Sequence, residues 1–305
     1  MNYVDIKLGY DCNNHCKHCI IVGQRTEARR LTGKENRDTQ ECIAEIEDSF
    51  KMGHKKMVIT GGEPTIRDDF LFLAKYAYNL GFETSLQTNG RKLSNIEFAI
   101  DVSHYIKNFI IALHGSKDEI HDKITGVPNS FQETIAGIQN LKKLDVSIVA
   151  KIVISKDNAT DLVNIMALLN KLNVNEVNIA FPHACEEMLK EYDVIVPTYS
   201  EIRNTIQSCI DFAIETKMNL EFETILPCSL DGKYPVKYFA DFKYFNDCSS
   251  VKQIGNESIL WNEARKSIKR KFEGCINCIY NSKCEGYWME YIILRGTEEF
   301  VPITN

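Results

Sequence analysis

Apolar and polar residues alternate over Val4, Ile6 and Leu8, a period of two that predicts a strand from Val4 to Tyr10. Ile43, Ile46 and Phe50 recur at helical spacing behind Asp38 or Thr39, either of which can cap a helix running to about Met52. Between them, residues 24–38 are charged and carry no hydrophobic period, which reads as a surface loop. Lys56–Thr60 is a short strand stopped at Gly61-Gly62-Glu63-Pro64, and Asp69–Asn79 a helix with Gly81 as its natural end.

The alternation repeats. Strands are predicted at Phe82–Thr88, Phe109–Leu113, Ser147–Ile154 and Glu176–Phe181, with helices at about Asn95–Asp101, Phe131–Leu144 and Ala159–Leu172. Six strand–helix units predict an α/β fold with a parallel sheet and helices outside it. In such folds functional residues gather where strands end. The ends here carry Cys12, Gly61–Pro64, Thr88-Asn89-Gly90, His114-Gly115, Ser155 and Phe181-Pro182. After Pro197 the pattern changes to a long helix at Tyr199–Lys217 and a strand at Leu220–Leu226. A hairpin is plausible within 231–255, with turn signals at Asp231-Gly232 and Tyr234-Pro235, followed by a basic helix over Ile259–Phe272. A boundary near 218 divides the chain into 1–217 and 218–305.

Composition narrows the class. A chain of 305 residues fits one large domain with a small appended module, and a net charge of −6 gives no basic footprint for nucleic acid. No apolar run approaches the roughly 20 residues of a membrane span. The start, MNYVDIKLGY, has no charged-then-apolar leader, so a cytoplasmic location is expected. Disulfides are rare in that compartment, and eleven cysteines then point to metal or redox work. Three fall within 12–19 and five after residue 225, which suggests two metal sites, while Cys42, Cys185 and Cys209 stand alone.

Cys12, Cys16 and Cys19 are spaced C-x3-C-x2-C. Structural zinc sites want four ligands, usually in paired knuckles, and the neighbours that could add one here are His15 and His18. A [4Fe-4S] cluster normally takes four thiolates, and with three of them one iron keeps an open position. Followed by Gly61-Gly62-Glu63-Pro64, the spacing resembles the signature of the radical S-adenosylmethionine (SAM) enzymes, with His18 where the family usually has an aromatic residue. Leu86–Gly90, Ala112–Gly115, His121-Asp122 and Thr125-Gly126 add to the resemblance, which covers about residues 3–220. It implies a partial (β/α)6 TIM barrel whose open iron chelates SAM. An electron from the cluster then cleaves SAM to a 5′-deoxyadenosyl radical that abstracts hydrogen from a substrate. It also implies SAM-binding roles for Gly61, Gly62, Glu63, Pro64, Thr88 and Asn89. Lys151 and Ser155 are candidates for the SAM carboxylate or ribose. Phe181 could back the adenine, and His114 and His121 could face substrate, although a core aromatic and loop-tethering histidines are the plainer readings.

Cys275, Cys278 and Cys284 are spaced C-x2-C-x5-C, which resembles the auxiliary-cluster modules called SPASM and twitch, although zinc also fits C-x2-C. Trp288 stands where the full SPASM pattern has another cysteine, so one auxiliary [4Fe-4S] cluster is expected. Its fourth ligand is Cys228, at a strand end, or Cys248. The Trp288–Tyr291 segment then packs over the module as core. The resemblance leaves two substrate classes open: maturation of a ribosomally made peptide by cross-linking or epimerisation, and oxidation or rearrangement of a small metabolite. A non-enzymatic Fe–S electron carrier ranks behind both. A reductant such as flavodoxin or ferredoxin is implied. With the first strand starting at residue 3, peptide work would call for a separate leader-recognition protein. Cys185, after the sixth strand, is a candidate hydrogen-atom donor, its plainer reading being an idle thiol.

Overall fold

Seven strands build the sheet in chain order: β1 (Tyr3–Lys7), β2 (Lys56–Thr60), β3 (Glu83–Thr88), β4 (Asn108–Ala112), β5 (Ser147–Val153), β6 (Glu176–Ala180) and β7 (Asn219–Glu223). In the computed structural model, which describes residues 3–230, 235–245, 249–255 and 258–304, each pairs in parallel with the next. Strands laid down in sequential order by right-handed crossovers put their helices on one face, which curls the sheet toward a barrel. Two further strands extend the other edge: β8 (Ser250–Lys252) runs parallel to β1, and β9 (Ile259–Leu260) antiparallel to β8.

The expected partial barrel is therefore present, and its sheet exceeds the six strands read from the sequence. The strand predicted at Leu220–Leu226 is β7, which continues the parallel sheet beside β6, so residues on both sides of position 218 share one sheet. Residues 24–38 are not a plain loop, because Ile21–Thr32 is helical. Ala28 is its one buried residue, which explains the missing hydrophobic period. Gly33 ends it in the left-handed region, and Glu27 pairs with Arg30 one turn on. The helix Thr39–Lys51 starts as expected, with Asp38 and Glu41 forming a reciprocal capping box. The region read as a hairpin holds a turn at Val236–Tyr238, a short helix at Ala240–Lys243 and β8 among its described residues; Asp231, Gly232 and Tyr234 lie outside them. The basic helix is shorter than expected, at Trp261–Ile268. The following β10 (Lys269–Arg270) pairs antiparallel with β11 (Tyr287–Trp288).

Strand alternation decides what the barrel interior looks like. Val4, Ile6, Met57, Ile59, Phe109, Ile111, Ile179 and Phe222 are buried in the main apolar core. Many alternate positions are polar: Asp5 and Lys7 on β1, Ser85 and Gln87 on β3, Lys151 on β5, Asn178 on β6, and Glu221 and Glu223 on β7, while Val58, Ile110, Val149 and Val153 are apolar. Apolar walls with a few polar and charged groups suit a ligand site more than a packed centre. No helix among the described residues is long and apolar enough to cross a membrane.

Candidate functional site

The loop after β1 carries Cys12, Cys16 and Cys19, and neighbouring elements tie it down. Gly62 N–H donates to the Gly9 carbonyl at 2.9 Å, and Glu63 N–H to the Asp11 carbonyl at 2.8 Å. Asn89 Nδ2 donates to Asn13 Oδ1 at 2.7 Å, and Arg91 Nη1 reaches both the Asn13 carbonyl and Asn14 Oδ1. His15 and Lys17 donate their amides to the carbonyls of Thr125 and Ile124. The loop is thus clamped by the ends of β2 and β3 and by the helix Asp118–Thr125.

Gly61 and Gly62 serve this clamp. Gly61 has φ +136°, and a Cβ there would run into the Gly9 carbonyl oxygen; one at Gly62 would run into those of Asp11 and Tyr10. The close approach these glycines allow is to the backbone that leads into the cysteine loop. Glu63 is buried, and its carboxylate accepts from Thr65 N–H, Thr65 Oγ1, Thr88 Oγ1 and Asn89 N–H. Burial raises its carboxyl above the ordinary range, and those hydrogen bonds pull the other way. One carboxylate thereby locks the β2 turn to the end of β3, with Pro64 opening the turn Pro64–Ile66.

Burial pushes the Cys12 thiol up to about 11 and Cys16 to about 12, and raises Cys19 as well, with the neighbouring thiols adding to the effect. A fourth thiol stands nearby that spacing could not show: Cys185 Sγ donates to the Cys19 carbonyl at 3.8 Å.

His18 packs edge-on to His114 at 4.6 Å, and His114 stacks on His121 at 6.0 Å. His121 Nδ1 accepts from the His114 amide and His114 Nδ1 from the Val153 amide, so both tether loops, and neither faces an open site. Burial lowers all three, His18 and His121 to about 4. His18 Nδ1 is buried without a partner among the described residues.

The other sequence candidates divide. Lys151 Nζ lies 2.7 Å from Asn178 Oδ1 and 2.6 Å from Glu223 Oε1, inside the barrel. Burial alone would raise Glu223, but Lys151, helped by Lys269 and Asn178, holds the carboxyl low. Ser155 is buried and turns its amide and hydroxyl to Asn158 Oδ1, closing its own loop. Phe181 is a core aromatic, stacked on Tyr199 at 4.1 Å and edge-on to Tyr291. Its carbonyl accepts from Trp288 Nε1, and Tyr291 is fully buried.

The second cysteine set shares one cavity. Cys228, Cys275, Cys278 and Cys284 line it, with Tyr287 closing one side. Cys248 lies outside the described residues. Burial pushes Cys228 to about 12 and Cys284 to about 11, and raises Cys275. Four buried side chains brace the set: Lys269 pairs with Asp241 and Glu285, and Arg265 Nε lies 3.0 Å from Glu285 Oε2. Two cations against two anions leave no buried net charge. Among the described residues, no three His, Cys, Asp or Glu side chains converge tightly enough to hold a single metal ion, so the zinc reading gains no support at either set.

Known proteins resemble the chain along different lengths. An AdoMet-dependent heme synthase of Oleidesulfovibrio alaskensis is 28% identical over 213 residues, which is 69% of this chain and 53% of that protein. The chain thus spans about half the length of that relative. Streptococcus suis SuiB bound to the precursor peptide SuiA has the same fold, with a TM-score of 0.61 at 15% identity over 99% of this chain and 74% of that one. So does anSMEcpe with bound AdoMet and the Cp18Cys peptide, with a TM-score of 0.63 at 14% identity over 99% and 92%. The Radical SAM superfamily matches residues 6–169, more than half of the chain, and the clamped three-cysteine loop lies inside that match. The chain belongs to the radical SAM superfamily.

Proposed function

We propose that Cys12, Cys16 and Cys19 hold a [4Fe-4S] cluster whose fourth iron position is left for SAM. The observation that carries this reading is a loop of three thiols immobilised directly over the Gly61–Glu63 turn. The donor set fits, since three soft sulfurs and no fourth ligand from the same loop suit a cluster with one open iron. When bound, the cluster supplies the electron that cleaves SAM. The chain's own residues hold and shield. Glu63, Thr88 and Asn89 fix the turn beside the loop, and Glu63 Oε2, with one protein donor, retains capacity for the SAM amino group. Lys151, paired with Glu223, is the charged group on the inner face nearest to a role with SAM or substrate, whereas Ser155 is already engaged in its loop.

We further propose that residues 218–305 form a SPASM/twitch-like module carrying one auxiliary [4Fe-4S] cluster on Cys228, Cys275, Cys278 and Cys284. Their common cavity favours Cys228 as the fourth ligand. Four thiolates would leave that cluster without an open iron, a role in electron transfer or structure.

For the substrate we favour a ribosomally made peptide, modified by cross-linking or epimerisation. Two folds that match nearly the whole chain carry peptides, and the polar side chains of the inner face suit amide groups. In an epimerisation we assign hydrogen-atom return to Cys185, a reading supported by its contact with the Cys19 carbonyl. The second reading, a small metabolite, is favoured by the resemblance in sequence to a heme synthase. Flavodoxin or ferredoxin would supply electrons, and a separate protein could present a leader.

Anaerobic reconstitution tests the core of this. The wild type should form 5′-deoxyadenosine from SAM with dithionite and Cys16→Ala should form none; retained cleavage would sink the assignment. Co-expression with a short peptide encoded beside the gene, followed by mass spectrometry in deuterated water, separates the substrate classes. Loss of two hydrogens or uptake of solvent deuterium marks a peptide, and an unchanged peptide favours a metabolite.

A further inference from the structure

The segment Glu285-Gly286-Tyr287 does more than follow a cysteine. Gly286 N–H donates to Cys284 Sγ at 3.3 Å, and Tyr287 Oη lies 3.0 Å from Cys228 Sγ.

Both donors are held in place. Gly286 has φ +88°, and a Cβ there would collide with the Arg270 carbonyl, so the turn that points its N–H at sulfur requires glycine. Glu285 is buried against Arg265 and Lys269. Tyr287 is fully buried, its ring stacked on Phe300 at 3.8 Å and edge-on to Tyr199 at 4.9 Å. The backbone on either side is fixed by pairing with β10.

With free thiols, either partner of the Tyr287–Cys228 contact can donate. Once Cys228 is a metal-bound thiolate it has no proton, and the phenol is the donor. The phenol's other polar neighbour, Ser229, gives its own proton to the Leu226 carbonyl at 2.7 Å. A charge-assisted bond to the thiolate outcompetes a neutral one to that hydroxyl.

We propose that Tyr287 is a positioning and tuning residue for the auxiliary cluster: its hydroxyl, with the Gly286 amide, donates to the ligand thiolates and raises the cluster's reduction potential. The physical ground is charge. Reduction adds an electron to an already anionic cluster, and fixed donors at the sulfurs stabilise the reduced form more than the oxidised one. This rests on the auxiliary-cluster reading above.

The test is a redox titration of the full chain, reconstituted anaerobically and followed by EPR, with the auxiliary signal identified by its indifference to SAM. In Tyr287→Phe the ring remains and the donor is lost. At the potential where the wild-type auxiliary cluster is half reduced, the variant's reduced-to-oxidised ratio should fall about tenfold, equivalent to about 59 mV. An unchanged potential at full iron content overturns the proposal. If Tyr287→Phe fails to load iron, wild-type protein grown with 3-fluorotyrosine, a stronger phenol donor, decides the matter: its potential should rise, and no rise overturns the proposal. The underlying reading fails separately, if wild-type protein binds only about four irons and shows no SAM-indifferent signal.

Discussion

Cys12, Cys16 and Cys19 come from one stretch of eight residues, whereas Cys228 and Cys284 are separated by more than fifty positions. The two sets are also braced differently. Backbone hydrogen bonds, amide side chains and Arg91 at the strand ends hold the first, with the buried Glu63 beside them. A buried quartet of charges and a cluster of stacked rings hold the second. Both sets are half-buried, so the difference between them lies in what braces them and not in access.

The largest expected effects separate the two centres outright. Cys16→Ala should abolish 5′-deoxyadenosine formation. Cys275→Ala should leave SAM cleavage intact, block turnover on the true substrate and lower iron from about eight to about four per chain. Iron analysis and chromatographic detection of 5′-deoxyadenosine read both. If Cys275→Ala turned over normally, the second centre would be structural only.

The braces can be broken next. Lys269 is 2% exposed and its partner Asp241 3%. Lys269→Met removes one of two buried cations and leaves an unpaired buried carboxylate, a loss of about 4 kcal/mol by the usual cost of breaking a buried pair. Urea unfolding of the apo-protein should register it, and SAM cleavage by the reconstituted variant should survive. At the first centre, Gly61→Ala meets both a left-handed φ and the Gly9 carbonyl, and should cost about 3 kcal/mol. It should impair SAM cleavage too, because the collision lies under the cysteine loop. Gly33→Ala, at φ +73° with open space around it, is the control and should cost about 1 kcal/mol.

What could be read before folding follows the same division. The first loop is local, so its spacing and the turn after β2 were legible from residue order alone. Cys185 was not recognisable as a neighbour of Cys19, because 166 positions separate them and only the return of β6 to the rim brings them together. The amphipathic helices announced themselves through period; Ile21–Thr32 did not, since a helix that buries one alanine leaves no stripe to detect. β7 was legible as a strand, but its pairing with β6 across position 218 was not, because period reports a strand's exposure and says nothing about its partner. Phe181 and the histidines at the strand ends illustrate a further limit. The rim rule selects positions at strand ends, yet whether a side chain there faces ligand or core depends on packing that composition does not encode.

The smallest effect concerns the histidines beside the first centre. His121 lies against His114 and Phe131, with Asp122 and Arg91 as its charged neighbours, and His114 in turn faces His18. Burial, the dominant cause, lowers His121 from 6.5 to about 4, Asp122 opposing and Arg91 assisting. A group whose folded value lies below its unfolded one binds more protons in the unfolded chain. Its contribution is therefore complete above about pH 6.5 and is lost as the pH falls toward 4. Between pH 7 and pH 5.5 the apo-protein should lose about 1 kcal/mol through His121. His121→Gln cannot titrate, and its urea stability should fall by about that much less over the same interval. Equal pH slopes in the two proteins would mean that His121 is solvated in the folded chain, and that the helix Asp118–Thr125 holds the cysteine loop without a dry interior behind it.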